Sequence, residues 1–208
     1  MSAAQRLAAG IAALGLDLDD ITQQRLLAYG ALLMKWNKVY NLTAIRDEAS
    51  MIDLHLLDSL AILPHLAQVT RVADIGSGGG LPGIPLAICR PDCEVALVET
   101  VGKKTSFLTQ AKAELGLTNL SVHNTRVENL KPAVLYPAVS SRAFASLYDF
   151  VTLTEHLLAP GGQWIAMKGV YPQDEIDALP AGITLRESRR LEVPGVAAER
   201  HLLFISRN

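Results

Sequence analysis

The feature that most constrains this chain is a short apolar segment that runs directly into a cluster of glycines. Residues 72–75 have the composition of a buried strand, and residues 76–80 contain four glycines in five positions. Glycines leave the backbone open to a ligand and permit the positive φ angles that a sharp reversal needs. The apolar residues after Gly83 favour a helix. A strand, a glycine loop and a helix in this order predict a nucleotide-cofactor loop.

Strand and helix patterns alternate downstream of this loop. A terminal pair of segments, 183–193 and 200–206, has no long crossover between its members, which indicates antiparallel strands. The chain as a whole is therefore predicted to be α/β, with a Rossmann-like parallel sheet that ends in an antiparallel strand. The predicted strands before the terminal pair are 72–75, 95–98, 120–123, 134–140 and 163–167, and the predicted helices are 103–115 and 147–158.

Residues 1–65 contain helical patterns only. Asp19 or Asp20 can cap a first helix, and a second helix is predicted over residues 51–63, before Pro64. We expect these residues to form a helical cap packed on a main domain of residues 66–208, because 208 residues suffice for one α/β domain and an appendage. The apolar residues expected on one face of the first helix are Ile21, Leu26, Leu27, Leu32, Leu33 and Trp36.

Composition limits the binding partners and the cellular location that can be expected for this chain. A formal net charge of −2 excludes a protein that coats nucleic acid by charge alone, so an RNA partner would have to meet a local basic patch. Cys89 and Cys93 have no second pair and no clustered histidine, so we expect reduced thiols and no metal site. No apolar run approaches the ~20 residues of a membrane span, and we identify no export signal. We expect a cytoplasmic monomer without a membrane partner.

Acidic residues and prolines discriminate between ligands of the glycine loop. Residues 78–83 fit the dinucleotide pattern G-x-G-x-x-G, but a pyrophosphate prefers free helix N–H groups, whereas Asp74 ends the strand and Pro82 and Pro85 lack an N–H. S-adenosylmethionine fits better, because its sulfonium and amino groups are positive and it carries no phosphate. Glu99, which ends the second strand, can accept hydrogen bonds from a ribose, but it would serve NAD equally. An NAD-dependent oxidoreductase therefore stays an alternative.

Five segments, in this order, carry a more specific signal. They are WNKVYNLTAI at 36–45, HLLDSL at 55–60, the loop at 74–85, SRA at 141–143 and LAPGG at 158–162. Together they resemble the RsmG family, also called GidB, of bacterial small-subunit rRNA guanine-N7 methyltransferases. Many methyltransferases share the glycine loop, whereas the segments in the helical cap are peculiar to this family. The resemblance covers nearly the whole chain and implies a class I S-adenosylmethionine-dependent methyltransferase sheet.

The resemblance also implies a substrate and a set of contacts. The substrate would be N7 of a guanine in the 530-loop of 16S rRNA, at rRNA position 527, within a small-subunit particle. A non-catalytic RNA-binding ribosome assembly factor with the same fold stays a further alternative. The loop chemistry adds Asp74 and Gly78 to the cofactor contacts that the resemblance implies, which are Gly76, Leu81, Glu99, Thr100, Val101, Val127, Glu128 and Arg142.

Guanine N7 carries an exposed lone pair, so its methylation needs no general base, and we assign no catalytic residue. The protein would mainly hold N7 and the methyl carbon about 3 Å apart and in line with the sulfur. Arg142, after the fourth strand, could hold guanine O6, a phosphate or the cofactor carboxylate. Lys168, which ends the fifth strand, could hold an RNA phosphate. Other basic candidates for RNA contact are Lys35, Lys38, Arg46, Lys103, Lys104, Arg186, Arg189 and Arg190.

Overall fold

The computed structural model describes residues 1–142 and 144–208, so Ala143, in the segment 141–143, lies outside the described residues. A seven-stranded sheet forms the centre of the molecule, in the order β3-β2-β1-β4-β5-β7-β6. Strands β1 to β5 pair in parallel, and β7 is antiparallel to both β5 and β6. The predicted α/β class with a terminal antiparallel strand is confirmed. The strands are β1 Arg71–Ile75, β2 Glu94–Glu99, β3 Leu120–Asn124, β4 Tyr136–Ser141, β5 Leu158–Lys168, β6 Ile183–Arg190 and β7 His201–Arg207.

Helices precede the sheet and alternate with its strands. Of the two predicted capping residues, Asp19 is the one that caps the helix Asp20–Tyr40. Its carboxylate accepts a hydrogen bond from Thr22 N at 2.7 Å. The α-helices are α1 Ala3–Ala13, α2 Asp20–Tyr40, α3 Glu48–Met51, α4 Asp58–Leu60, α5 Gly83–Cys89, α6 Gly102–Glu114, α7 Leu147–Thr154 and α8 Gln173–Asp177. A π-helical segment, Ile52–Leu57, joins α3 to α4, and 3-10 turns cover Leu63–Leu66, Val127–Asn129 and Glu155–Leu157.

Two predicted helices and one predicted core residue differ from the structure. The single helix expected over 51–63 is divided among α, π and 3-10 geometry, and Pro64 lies inside the 3-10 turn Leu63–Leu66. The helix expected over 147–158 ends as α-helix at Thr154, and strand β5 already begins at Leu158, where it pairs with Tyr136 before a register shift. Ile21, expected on the buried face of α2, is 66% exposed. Periodicity predicted α2, α6 and α7 but neither α1 nor α8, and it did not predict the geometry of the helix ends.

Two clusters of apolar side chains cover the two faces of the sheet. Leu26 and Leu33 of α2 belong to the same buried cluster as Val72 of β1 and Phe107 of α6, so the N-terminal helices pack on one face. Trp164 belongs to the second cluster, on the opposite face. Burial on both faces is typical of parallel strands. The division of the chain at residue 65 stays a prediction.

The strand order places the functional edge of the sheet. The chain proceeds from β1 to β2 and β3 on one side, whereas β4 and β5 lie on the other side of β1. Ligands of doubly wound sheets bind beyond the carboxyl ends of the strands at such a reversal of strand order. The glycine loop after β1 and the turn after β4 both leave the sheet at this point.

Candidate active site

A cavity of about 430 Å³ opens at the carboxyl ends of β1 and β2. Ile75, Val98 and Phe144 give it apolar walls. An apolar cavity with a few polar groups is typical of a small-molecule site. Five of the residues predicted from the sequence to contact the cofactor lie together in the lining of this cavity: Gly76, Glu99, Thr100, Val127 and Glu128. For this reason we name it the cofactor cavity.

Glu99 connects the glycine loop to the loop after β2. One carboxylate oxygen accepts a hydrogen bond from Gly78 N at 2.9 Å, and the other accepts from Thr100 N and Val101 N, both also at 2.9 Å. The residue is only 6% exposed. Hydrogen bonds to a carboxylate are stronger than those between neutral groups, so Glu99 fixes the distance between the two loops.

Glycine is required in the loop for two different reasons. At Gly78 φ is +57°, and a Cβ would come no closer than 3.9 Å to another atom, so the backbone conformation, and not lack of space, disfavours β-branched and bulky residues. At Gly83, the first residue of α5, a Cβ would lie 2.2 Å from Leu97 Cδ2 and 2.9 Å from Asp74 Oδ2. Space is therefore the constraint at Gly83, where the helix packs directly against β1 and β2.

Asp74 lies beneath the glycine loop and is 1% exposed. Its carboxylate accepts hydrogen bonds from Gly83 N at 3.2 Å and from Ser140 Oγ at 3.3 Å. Burial raises the pKa of Asp74 to about 7, although the positive charge of Arg142 and these hydrogen bonds act in the opposite direction. The described contacts of Asp74 anchor the loop to β4. A direct contact between Asp74 and a cofactor stays a prediction.

The first turn of α5 offers a phosphate few partners. Gly83 N donates to Asp74, Ile84 N donates to Gly80 O at 2.7 Å, and Leu86 N donates to Pro82 O at 3.0 Å. Pro85 has no N–H to donate. Because a pyrophosphate binds helix N-termini through such N–H groups, this geometry does not favour a dinucleotide.

A second cavity, of about 210 Å³, lies on the other side of the loop. Gly76 belongs to its lining and to that of the cofactor cavity, so the two cavities adjoin. Gly78 and Leu81 line this loop cavity together with Lys104 and Arg142, two of the basic residues singled out for RNA contact. Asp74 and Val101 are absent from the described linings of both cavities.

His55 and Arg142 form the far wall of the loop cavity. His55 Nδ1 lies 3.0 Å from Leu54 O, which can only accept, so Nδ1 donates and Nε2 accepts from the Thr43 hydroxyl at 2.7 Å. Burial, with a further contribution from Arg142, lowers the pKa of His55. A neutral imidazole beside a permanent positive charge is the result.

A third cavity, of about 330 Å³, shares His55 and Arg142 with the loop cavity. We name it the rim cavity and define it by these two residues with Asp58, Lys168, Arg200 and His201. The cofactor, loop and rim cavities therefore adjoin one another in a series along the carboxyl edge of the sheet.

Arg142 and Lys168, predicted to contact the substrate, meet in the rim cavity, and both have carboxylate partners. Arg142 Nη1 lies 3.1 Å from Asp58 Oδ2. Lys168 Nζ lies 2.8 Å from Glu175 Oε2, and it also donates to Phe144 O at 3.3 Å. A contact of either residue with RNA stays a prediction.

Three residues that shape this site, Asp58, Arg200 and Tyr29, were not predicted from the sequence. Arg200 Nε donates to Asp58 Oδ1 at 2.7 Å, and Tyr29 donates its hydroxyl hydrogen to Gly79 O at 2.6 Å. Asp58 carried a signal, because an acid among apolar helical residues is expected to need a buried partner. For Tyr29 and Arg200 we find no local signal, since both contacts join segments that are distant in the sequence.

The described residues show neither a metal site nor a membrane span. Across residues 1–142 and 144–208, no group of three or more His, Cys, Asp and Glu residues could hold a metal ion. In the same part of the chain, no helix is both long and apolar enough to cross a membrane.

Similar solved structures are methyltransferases of several kinds. The O-methyltransferase TomG from Streptomyces achromogenes, solved in complex with SAM, has a TM-score of 0.61 at 15% identity and covers 100% of this chain and 99% of its own. TrmN from Thermus thermophilus has a TM-score of 0.58 at 21% identity, over 72% of this chain and 48% of its own. At these identities the likeness shows the fold, which is that of class I methyltransferases.

Curated relatives are much closer in sequence. The protein named ribosomal RNA small subunit methyltransferase G from Azoarcus sp. strain BH72 is 64% identical over 204 residues, which cover 98% of this chain and 96% of the relative. The protein of the same name from Neisseria meningitidis serogroup A is 56% identical over the full length of both chains. The profile of the GidB family, described as rRNA small subunit methyltransferase G, matches residues 22–203. This chain therefore belongs to the GidB family.

Proposed function

We propose that this chain transfers a methyl group from S-adenosylmethionine to N7 of a guanine in the RNA of the small ribosomal subunit. The observation that carries the proposal is the series of adjoining cavities. Gly76 joins the cofactor cavity to the loop cavity, and His55 and Arg142 join the loop cavity to the rim cavity. A donor and an acceptor can thus meet between the two ends of the series. The names of the relatives in the same family support RNA as the acceptor.

The residues present fit S-adenosylmethionine. The apolar walls of the cofactor cavity suit an adenine ring, and Glu99 Oε2, which accepts one hydrogen bond from Gly78 N, has accepting capacity left for a ribose hydroxyl. The glycine loop lets a methionine moiety approach the backbone, and no phosphate has to be accommodated. When bound, the cofactor supplies a methyl group on a positively charged sulfur. The proposed contacts are Gly76, Gly78, Leu81, Glu99, Thr100, Val101, Val127, Glu128 and Arg142, with Asp74 acting from beneath the loop.

The proposed chemistry is orientation without proton abstraction. A guanine N7 lone pair is free at neutral pH, and His55, whose Nε2 accepts a hydrogen bond from Thr43, is engaged in the wall of the loop cavity. Arg142 lies between the loop and rim cavities, where its guanidinium can hold an oxygen of the substrate. Holding two reactants in line can supply several kcal/mol of the barrier reduction.

The identity of the acceptor is the finest part of the proposal. Resemblance to the family supports the guanine at position 527 in the 530-loop of 16S rRNA, within a small-subunit particle. A cytoplasmic location follows from such a substrate, and we propose that the chain acts there as a monomer. Its charge of −2 supports recognition of the shape of the RNA, because nonspecific phosphate binding requires a larger positive charge.

One experiment tests the donor and the acceptor together. The purified chain is incubated with small-subunit particles from cells that lack the gene and with S-adenosylmethionine labelled on its methyl group. Mass spectrometry of the rRNA nucleosides is expected to show labelled 7-methylguanosine. Binding of S-adenosylhomocysteine without any methyl transfer would favour the non-catalytic assembly factor instead. Binding of NADH in place of S-adenosylhomocysteine would contradict the proposed donor.

A further inference from the structure

Two residues of the rim cavity have no role in the proposed transfer. Asp58 belongs to α4, in the N-terminal helical segment, and Arg200 directly precedes β7. Strand β7 is antiparallel to β5, with His201 paired to Lys168, so Arg200 lies at the carboxyl edge of the parallel strands. Three segments that are far apart in sequence thus meet at this cavity.

Asp58 binds two arginines at once. Its Oδ1 accepts from Arg200 Nε at 2.7 Å, and its Oδ2 accepts from Arg142 Nη1 at 3.1 Å. The Asp58 side chain is 3% exposed, whereas the side chains of Arg142 and Arg200 are 29% and 24% exposed. Asp58 therefore lines the cavity with a side chain that is almost inaccessible to solvent, whereas the side chains of both arginines are partly accessible.

The charges of this cluster do not cancel. Within the lining of the rim cavity, one carboxylate faces two guanidinium groups, which leaves one positive charge in excess there, while Lys168 is paired with Glu175 and Asp74 lies outside the lining. A guanidinium has five N–H donors, so the described hydrogen bonds do not exhaust those of Arg142 or Arg200. The wall of the cavity thus presents donors and positive charge, which suit oxygen acceptors: an RNA phosphate or guanine O6.

We infer that Asp58 is a positioning residue that holds Arg142 and Arg200 side by side, so that both guanidinium groups bind oxygen atoms of the target nucleotide in the rim cavity. The inference rests on the proposed function, because it places the acceptor beside the loop cavity. It adds Arg200 as a substrate contact, and it gives the N-terminal helical segment a role in substrate binding.

A purely structural role for Asp58 makes a different prediction. A buried ion pair can simply join the helical segment to the sheet, and breaking it would then lower stability alone. In our inference, by contrast, loss of Asp58 and loss of Arg200 both weaken the binding of the small-subunit particle, and their effects are not independent.

The test uses two variants and two matched controls. Arg200→Met removes the guanidinium, and Arg207→Met removes one at the opposite end of the same strand, where Arg207 pairs with Glu155. Asp58→Asn removes the negative charge, and Asp53→Asn does so at a buried aspartate that pairs with Arg6. For each variant, the Kd of the enzyme saturated with S-adenosylhomocysteine for unmethylated small-subunit particles is measured, together with the KM and kcat of transfer and the affinity for S-adenosylhomocysteine.

We expect Arg200→Met to raise the Kd and KM for the particle about tenfold, with cofactor affinity within about twofold of wild type. Asp58→Asn is expected to have a similar effect. In the double variant, Arg200→Met should raise the Kd and KM only about twofold above those of Asp58→Asn alone, because the two residues act as a unit. The two controls should stay within about twofold of wild type. Multiplicative effects of Asp58→Asn and Arg200→Met, or an Arg200→Met variant that matches Arg207→Met, would overturn the inference.

The salt dependence of binding distinguishes the two sources of the oxygen. If Arg200 binds a phosphate, Arg200→Met should reduce the slope of log Kd against log salt concentration by about one, whereas loss of a contact with guanine O6 leaves the slope unchanged. Particle binding does not depend on turnover. A wild-type chain that binds particles but transfers no methyl group would refute the proposed function, and the comparison of Kd values would still decide the role of Asp58.

Discussion

The two ends of the cavity series are built in different ways. On the cofactor side, Glu99 reaches Gly78 across 21 positions of the sequence, and its other bonds go to its immediate neighbours. On the rim side, Asp58 reaches Arg142 across 84 positions and Arg200 across 142. The cofactor side therefore depends on backbone conformation within one βαβ unit, whereas the rim side depends on how distant segments pack.

This contrast predicts different responses to substitution. Positive φ angles and close contacts of the backbone limit which residues the glycine loop can contain. A single substitution there can therefore abolish binding on the cofactor side. The rim side is held by ion pairs among side chains, and its failure should affect the acceptor before the cofactor. Tyr29 and Asp74 lie between these extremes, because each fixes the loop from another part of the fold.

The largest expected effect is that of Gly78→Val. A β-branched residue at φ +57° is strained. Relief of the strain would displace the backbone N–H at position 78, which donates a hydrogen bond to Glu99. We expect the affinity for S-adenosylhomocysteine to fall by at least about a hundredfold, as measured by calorimetry. Gly116→Val is the matched control: φ there is +62° with no atom within 4 Å of the Cβ, so only stability should suffer. Unchanged affinity in Gly78→Val would place the cofactor elsewhere.

The same contrast explains how much of the molecule the sequence could predict. The succession of strands along the chain, the glycine loop and Glu99 follow local patterns. Glu99 ends β2, as its pattern predicted, and lines the cofactor cavity. Arg200 and Tyr29 could not be predicted, because their contacts arise only when the N-terminal helices pack against the sheet. The start of β5 at Leu158 also depends on pairing with Tyr136, which periodicity does not encode.

A second prediction concerns Asp74 and pH. Burial raises the pKa of Asp74 to about 7 from a usual value of 3.8, so the folded state holds a proton that the unfolded state releases. The stability that this proton contributes is complete below pH 3.8 and is lost as the pH rises towards 7. Asp74→Asn does not titrate, so its free energy of unfolding relative to wild type should rise by about 2 to 3 kcal/mol between pH 5 and pH 8.

Denaturant unfolding of wild type and Asp74→Asn at both pH values measures this difference. The amide oxygen of an asparagine can accept from Gly83 N, and its NH2 group can donate to Ser140 Oγ, which as a hydroxyl can also accept, so the geometry beneath the loop should persist. An equal difference at pH 5 and pH 8 would show that Asp74 is already ionised in the folded protein at pH 5. The loop would then rest on a buried negative charge that Arg142 compensates, and the two ends of the cavity series would be coupled electrostatically.

The smallest expected effect is that of Tyr29→Phe. The Tyr29 hydroxyl donates to Gly79 O at 2.6 Å, and both groups are buried where α2 meets the glycine loop. Loss of the donor leaves a carbonyl unpaired, which should lower the free energy of unfolding by about 1 to 2 kcal/mol. If α2 also sets the position of the loop, part of this lost hydrogen-bond energy should appear as weaker binding, and the affinity for S-adenosylhomocysteine should fall about threefold. Tyr148→Phe, at a side chain that is 50% exposed, should change neither quantity. A stability loss in Tyr29→Phe with unchanged affinity would mean that the helical segment supports the rim side alone, and that backbone conformation by itself holds the cofactor side.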